Sequence, residues 1–97
     1  MTTTVSHNAA AHRFEATVDG QLCICDYRRS GDVAVFDHTV VAPALQGRGI
    51  AADLVVAGLA WAREQGLKVR PSCSYVAAYM QRHPETQDLL ETGTARA

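Results

Sequence analysis

At Pro43 the hydrophobic period of this chain changes, and that change limits its fold more than any other feature. Upstream, apolar side chains recur at every second residue, the spacing of strands with one buried face. His12, Phe14, Ala16 and Val18 alternate with Arg13, Glu15 and Thr17. Gln21 to Arg29 alternates again, with Leu22 and Ile24 on one face and Cys23, Cys25 and Tyr27 on the other. Val33 to Val41 is β-branched and aromatic, the composition of a buried strand. Asp19-Gly20 and the run Arg28 to Asp32 supply turns, so these segments form an antiparallel meander. Pro43 has no N–H to offer a ladder and ends the third strand.

Downstream, Ile50, Leu54, Ala57, Gly58 and Trp61 fall at helical spacing. They predict a helix from Gly49 to Gln65, closed by a left-handed cap at Gly66. Leu67 to Pro71 reads as a fourth strand, parallel to the third because a helix intervenes. Ser74 to His83 is a second helix, stopped by Pro84. The expectation is an α+β fold of order β-β-β-α-β-α, a mixed, mainly antiparallel sheet packed with two main helices.

Ninety-seven residues suit one domain, here residues 11–90, between tails at 1–10 and 91–97. Nine basic against ten acidic residues leave no excess charge for a phosphate backbone, so nucleic acid is not an expected partner. The stretch Ile50 to Ala62 is too short to span a bilayer and contains Asp53, so no membrane association is expected. The N-terminus lacks the basic and apolar regions of a signal peptide. Three cysteines, an odd number, read as reduced thiols in a cytoplasmic protein. Cys23 and Cys25 share a strand face and read as packing; C-x-C with scattered histidines does not make a metal site. The chain is expected to be a monomer.

The chemistry concentrates in Gln46-Gly47-Arg48-Gly49-Ile50-Ala51, between the buried strand and the first helix. The first amides of a helix have no internal acceptor, and the helix dipole is positive there. Small residues at 47, 49 and 51 let a diphosphate approach those amides, and Arg48 can add a charged contact. The same residues also suit a plain tight turn. Neither G-x-G-x-x-G nor a terminal Lys-Ser/Thr is present, so dinucleotide and nucleoside-triphosphate folds lose support.

Gln46-x-x-Gly49-x-Ala51 matches the Q/R-x-x-G-x-G/A pattern of the GNAT (GCN5-related N-acetyltransferase) superfamily. The run His38 to Pro43, the run Pro71 to Val76, Tyr79 and His83-Pro84 resemble its small YjdJ-type branch. The resemblance covers about Arg13 to Pro84. It implies a minimal acyl-CoA acyltransferase fold, acetyl-CoA or coenzyme A as the small-molecule acyl donor, and transfer to an amine acceptor that the sequence does not identify. It further implies that the loop from Gln46 to Ala51 cradles the pyrophosphate, and that a backbone amide at Val40 or Val41 polarises the thioester carbonyl. Compared with larger members, the pattern has no helices ahead of the meander and no strands after the second helix. The alternative is therefore a CoA-binding or protein-interaction module with little turnover; a purely structural domain would leave the loop unused.

Cys73 precedes the second helix, and a helix N-terminus favours a thiolate. The matching cysteine in the resembled branch is the proposed catalytic residue, through an acetyl-cysteine. A buried packing role is the other reading. His38 is a candidate general base or a structural histidine. Tyr75 and Tyr79 lie four apart on one helix face. The resemblance offers them as a proton donor to departing CoA or as cofactor lining, and core packing is the alternative. Trp61 is expected to anchor the first helix.

Overall fold

The computed structural model describes residues 3–91. A five-stranded sheet in the order β1-β2-β3-β4-β5 carries two helices. The strands are β1 (Ser6–Asn8), β2 (Arg13–Val18), β3 (Gln21–Ser30), β4 (Val33–Val40) and β5 (Lys68–Pro71). The helices are α1 (Ile50–Glu64) and α2 (Ser74–Arg82). β1 to β4 pair antiparallel, and β5 joins β4 in parallel across α1. The sequence-based α+β expectation therefore holds, with one strand added.

That strand corrects the tail expected over residues 1–10. Ser6–Asn8 pairs with β2, Ser6 opposite Glu15 and Asn8 opposite Arg13. Its inward residue is His7, whose ring stacks on Phe14 at 4.3 Å and whose Nε2 lies 2.6 Å from the Tyr27 hydroxyl. Further out, the Thr3 amide donates to the Asp53 carboxylate of α1 at 3.2 Å. A three-residue strand held by two polar side chains, His7 and Asn8 (whose Nδ2 donates to Glu15 Oε2 at 2.9 Å), and by backbone bonds leaves no hydrophobic period to read. Met1, Thr2 and residues 92–97 of the expected tails lie outside the described residues. Glu91, at the start of the second expected tail, donates its amide to the Val69 carbonyl at 3.1 Å and pairs with Arg70.

The turn chemistry works as read. Asp19 and Gly20 both take positive φ, 51° and 75°, which closes the two-residue β2–β3 hairpin. α1 buries Ile50, Leu54, Val55, Gly58, Leu59 and Ala62 along one stripe. Against it lie Phe14, Ala16, Cys23, Cys25, Tyr27, Ala34 and Phe36 from the sheet, with Val76 and Met80 from α2. Each fully buried Leu or Val contributes about 1.5–3 kcal/mol, so this stripe is a main source of stability. Trp61 packs against Phe14 and Tyr27 at 5.8 and 4.7 Å between ring centres. No helix among the described residues is long and apolar enough to cross a membrane.

The β3–β4 ladder contains an irregularity that sets which side chains of β4 face inward. Tyr27 pairs with Phe36, yet its neighbour Asp26 pairs with His38, so Asp37 is an extra residue in β4. Such a bulge reverses the alternation of side chains beyond it. Ala34 and Phe36 point inward before the bulge; Thr39 does so after it, opposite buried Cys25. β5 leaves at the same level. Its pairing ends at Phe36 with Pro71, and the last bond across the junction runs from the Cys73 amide to the Phe36 carbonyl at 2.9 Å. Beyond Phe36, β4 continues to Val40 without β5 beside it.

Gly58 marks the closest approach of α1 to the sheet. A Cβ there would sit 2.8 Å from Cε1 and 3.1 Å from Cζ of the buried Phe36 ring. Gly58→Ala should destabilise the fold by about 1–3 kcal/mol, because this overpacking outweighs the helix-propensity gain of about 1 kcal/mol. Urea unfolding monitored by circular dichroism checks it, and a variant as stable as the parent would mean the ring yields freely.

Candidate functional site

The loop between β4 and α1 is pinned at both ends by apolar burial. Pro43–Leu45 forms a short 3-10 helix whose Leu45 side chain is buried, and Ile50 is buried at the start of α1. Between these anchors the Gln46 side chain folds back, its Nε2 donating to the Val41 carbonyl at 3.2 Å. Gly47 and Gly49 both take the left-handed conformation, with φ of 86° and 82°. That region costs a side-chain-bearing residue about 1–2 kcal/mol, so glycine here answers to the backbone. Gly49 is the N-cap of α1, and the first helical bond runs from the Asp53 amide to the Gly49 carbonyl. The amides of Ile50, Ala51 and Ala52 precede that bond and have no intrahelical acceptor.

A cleft of about 480 Å³ opens over this loop. Leu45, Gln46, Gly47, Gly49, Ile50 and Ala51 form its floor, β4 contributes Thr39 and Val41, and α2 contributes Tyr75. It lies where β5 departs, so its chemistry is a row of amides at one end and the α2 N-terminus at the other.

Cys73 is the N-cap residue of α2 and is half-buried. Its Sγ adjoins the cleft through Thr39, whose Oγ1 is 3.5 Å away. Burial by itself raises the thiol pKa, but the Thr39 hydroxyl and the amides of Val76, Tyr75 and Thr39 outweigh it, and the net shift is downward. The neutral thiol makes no capping hydrogen bond, so these amides act on the charged form. Cys25 shows the opposite case: deep burial dominates and pushes its thiol up to about 11.

Several residues singled out from the sequence stand elsewhere. His38 lies next to Thr39 in the pleat and so points to the other side of the sheet, exposed, beside Asp26 and Arg13. The bulge is the reason: the alternation of Ala34 and Phe36 continued without it would turn His38 inward. The Val40 side chain is also outward, paired with Ile24 and 41% exposed, but the group expected to act there is a backbone amide of Val40 or Val41, and Val41 lines the cleft. Arg48 does not line the cleft; it forms an ion pair with Asp19 of the β2–β3 turn at 3.1 Å. Both partners are more than half exposed, so the pair contributes at most about 1 kcal/mol. Tyr79 does not line the cleft either, and stacks on His83 with ring centres 3.8 Å apart. Among the described residues no three His, Cys, Asp or Glu side chains gather to hold a metal ion.

Thr39 is the residue that sequence reasoning missed. The available signal was a hydroxyl within a β-branched strand opposite a strand of inward cysteines, and only the bulge reveals its facing.

Comparison with known proteins now bears on this geometry. The sequence model described as GCN5-related N-acetyl-transferase matches residues 13–89. The chain belongs to this family of acetyltransferases. Protein NATD1 of Xenopus tropicalis is 31% identical over 88 residues, covering 88% of this chain and 81% of that protein. Protein NATD1 of Mus musculus is 32% identical over 88 residues, covering 88% and 80%. The solution NMR structure of a GCN5-like protein from Staphylococcus aureus superimposes with a TM-score of 0.73. It shares 26% identity and covers 98% of this chain and 97% of its own. The GNAT-type fold expected from the sequence is thus observed.

The three thiols differ enough to separate chemically. With the folded protein, a thiol reagent should modify Cys73 alone at neutral pH, while Cys23 and Cys25, both 0% exposed, react only after denaturation. Counting thiols with Ellman's reagent before and after adding guanidinium chloride tests this; two or more fast thiols in the native protein would contradict the burial.

Proposed function

We propose that this chain transfers an acetyl group from acetyl-CoA to an amine, with Cys73 as the nucleophile that first accepts it. The observation that carries the reading is one cleft joining the free amides of the α1 N-terminus to Thr39, which touches Cys73 Sγ. Acetyl-CoA supplies the activated thioester and a pyrophosphate for the loop. The amides near Gly49 bind that pyrophosphate, and the left-handed glycines hold the loop backbone in the shape that aims them. Apolar walls at Val41, Leu45 and Ile50 exclude water from the path between. The Cys73 thiolate attacks the thioester carbonyl; its sulfur–carbon bond forms as the carbon–sulfur bond to CoA breaks. The departing CoA thiolate takes a proton, for which Tyr75 is the hydroxyl lining the cleft from α2. Attack by a neutral amine on the acetyl-cysteine then forms the carbon–nitrogen bond as the carbon–sulfur bond breaks, returning Cys73 to the thiolate and releasing the amide. The amine's proton leaves to water, from which Tyr75 regains its own. His38 has no part in this scheme because it faces the other side of the sheet.

A second reading is a CoA-binding module with little turnover. It is favoured by one observation: no His, Asp or Glu lines the cleft among the described residues, so no side chain there serves as base for the amine. Both readings suit a monomer, since one edge strand has three residues and Leu90 bridges to Val69 at the other.

Calorimetric titration with acetyl-CoA tests the site. Gly49→Val should weaken binding at least tenfold, through a strained φ and a branched side chain at the anion position. Gly31→Ala, which imposes a similar strain at a remote turn with φ of 59°, should leave binding unchanged. Absence of binding by the folded parent would end both readings.

Cys73→Ala should retain binding and lose most acetyl transfer to an amine panel, and mass spectrometry should find one acetyl group on Cys73 of the parent. Transfer should rise with pH and level off below the pH at which an ordinary thiol ionises, since the Cys73 pKa is lowered. Equal transfer by the alanine variant would reject the thiol route; binding without transfer by the parent would favour the module.

A further inference from the structure

Thr39 stands between two sulfurs of opposite character. Its Oγ1 is 3.5 Å from Cys73 Sγ and 3.9 Å from Cys25 Sγ. A threonine hydroxyl has one hydrogen to donate, and its β-branched side chain is stiff at χ1. Cys25 is fully buried and, with a pKa near 11, keeps its proton at neutral pH. Two arrangements follow from these contacts. While Cys73 is a thiol, its S–H donates to Thr39 Oγ1 and the Thr39 hydroxyl donates to Cys25 Sγ. When Cys73 loses its proton, the hydroxyl needs only to rotate about its C–O bond to donate to the thiolate. Thr39 therefore has a partner for its hydrogen in either state, and ionising Cys73 requires no heavy atom to move.

We propose that Thr39 is the positioning residue of Cys73, holding its Sγ beside the cleft and donating the hydrogen bond that favours the thiolate. The proposal gives this hydrogen bond a catalytic purpose only if Cys73 is the acetyl acceptor, but the bond itself can be tested without any transfer. The amides of Val76, Tyr75 and Thr39 act in the same direction as the hydroxyl and are backbone groups that a Thr39 side-chain substitution leaves in place. Around Cys73, β3 carries Cys23, Cys25, Asp26, Tyr27, Arg28 and Arg29, β4 carries Asp37 and His38, β5 carries Lys68 and Arg70, and α2 carries Tyr75, Tyr79 and Arg82. Asp37 is paired with Arg28 on the outer side of the sheet at 3.0 Å, and His38 is exposed on that same side. The cationic side chains among them, Arg28, Arg29, Lys68, Arg70 and Arg82, are all exposed, and Arg28 and Arg70 are paired with Asp37 and Glu91.

The test is the pH dependence of Cys73 alkylation by iodoacetamide, followed by mass spectrometry in the full chain, with Cys73→Ala as the blank. Thr39→Val keeps the shape and removes the hydroxyl. It should move the ionisation midpoint of Cys73 upward and slow alkylation at pH 7 about tenfold. Above its new midpoint the variant should react as fast as the parent or faster, because a more basic thiolate is the better nucleophile. Thr39→Ser should return the midpoint toward the parent value. Thr39→Ala, with circular dichroism as the check on folding, serves if the valine variant does not fold. A midpoint unmoved by either hydroxyl deletion, or alkylation slowed by the same factor at every pH, would overturn the proposal. If the midpoint shifts as expected and the parent nonetheless transfers no acetyl group, Thr39 keeps this assignment and the transferase reading fails.

Discussion

The extra residue Asp37 in β4 is the constraint on which the rest of this molecule depends. An antiparallel ladder with no insertion would carry Phe36, His38 and Val40 inward along one face. One additional residue reverses the order beyond it, so Thr39 faces the core and His38 faces solvent. β5 stops pairing at the level of Phe36, where Pro71 offers no amide to continue. The sheet opens there because its ladder has run out of partners on one side. Everything placed around the opening follows: the loop below β4, the α2 N-terminus beyond β5, and the hydroxyl turned to meet Cys73.

What keeps the opening from collapsing is apolar burial on either side. Leu45 and Ile50 are 1% and 3% exposed, so the loop between them is tethered at both ends to the same core that holds α1. The glycines make the path possible, and the buried residues make it a single path. Gln46 reinforces it by returning a hydrogen bond to Val41. The polar chemistry therefore rests on hydrophobic packing, which suits a small domain with little other means of rigidity. The ion pairs are peripheral by comparison: Arg48 with Asp19 and Arg63 with Asp88 are more than half exposed.

Membership of an acetyltransferase family and the GNAT-type fold agree with an opening of this kind. The cysteines illustrate how one residue type takes two roles within a single core. Cys25, surrounded by apolar groups, is held protonated by its burial. Cys73, close by through a shared threonine, meets the amides of a helix start and moves the other way. The difference lies in the depth of burial and in the backbone amides that Cys73 meets.

Much of this was legible in the residues themselves. The alternation of Phe14 to Val18 and of Cys23 to Tyr27, the Asp19-Gly20 hairpin, the helical stripe from Ile50 and the left-handed Gly66 after α1 are local properties, set by period and allowed φ. The motif Gln46 to Ala51 pointed to the loop for the same reason, since glycine spacing and a helix start are neighbours in sequence. Three features were not legible. β1 is held by His7, Asn8 and backbone bonds to a strand five to nine residues away, which no pattern within Ser6–Asn8 announces. Arg48 was drawn to Asp19, 29 positions earlier, rather than toward the cleft. Thr39 and His38 exchanged faces because a bulge is a property of two strands in register and not of either alone. The sequence by itself determined which segments are strands and helices, because those preferences are local; only the tertiary structure decided which side chains face the cleft, because facing depends on pairing between distant segments.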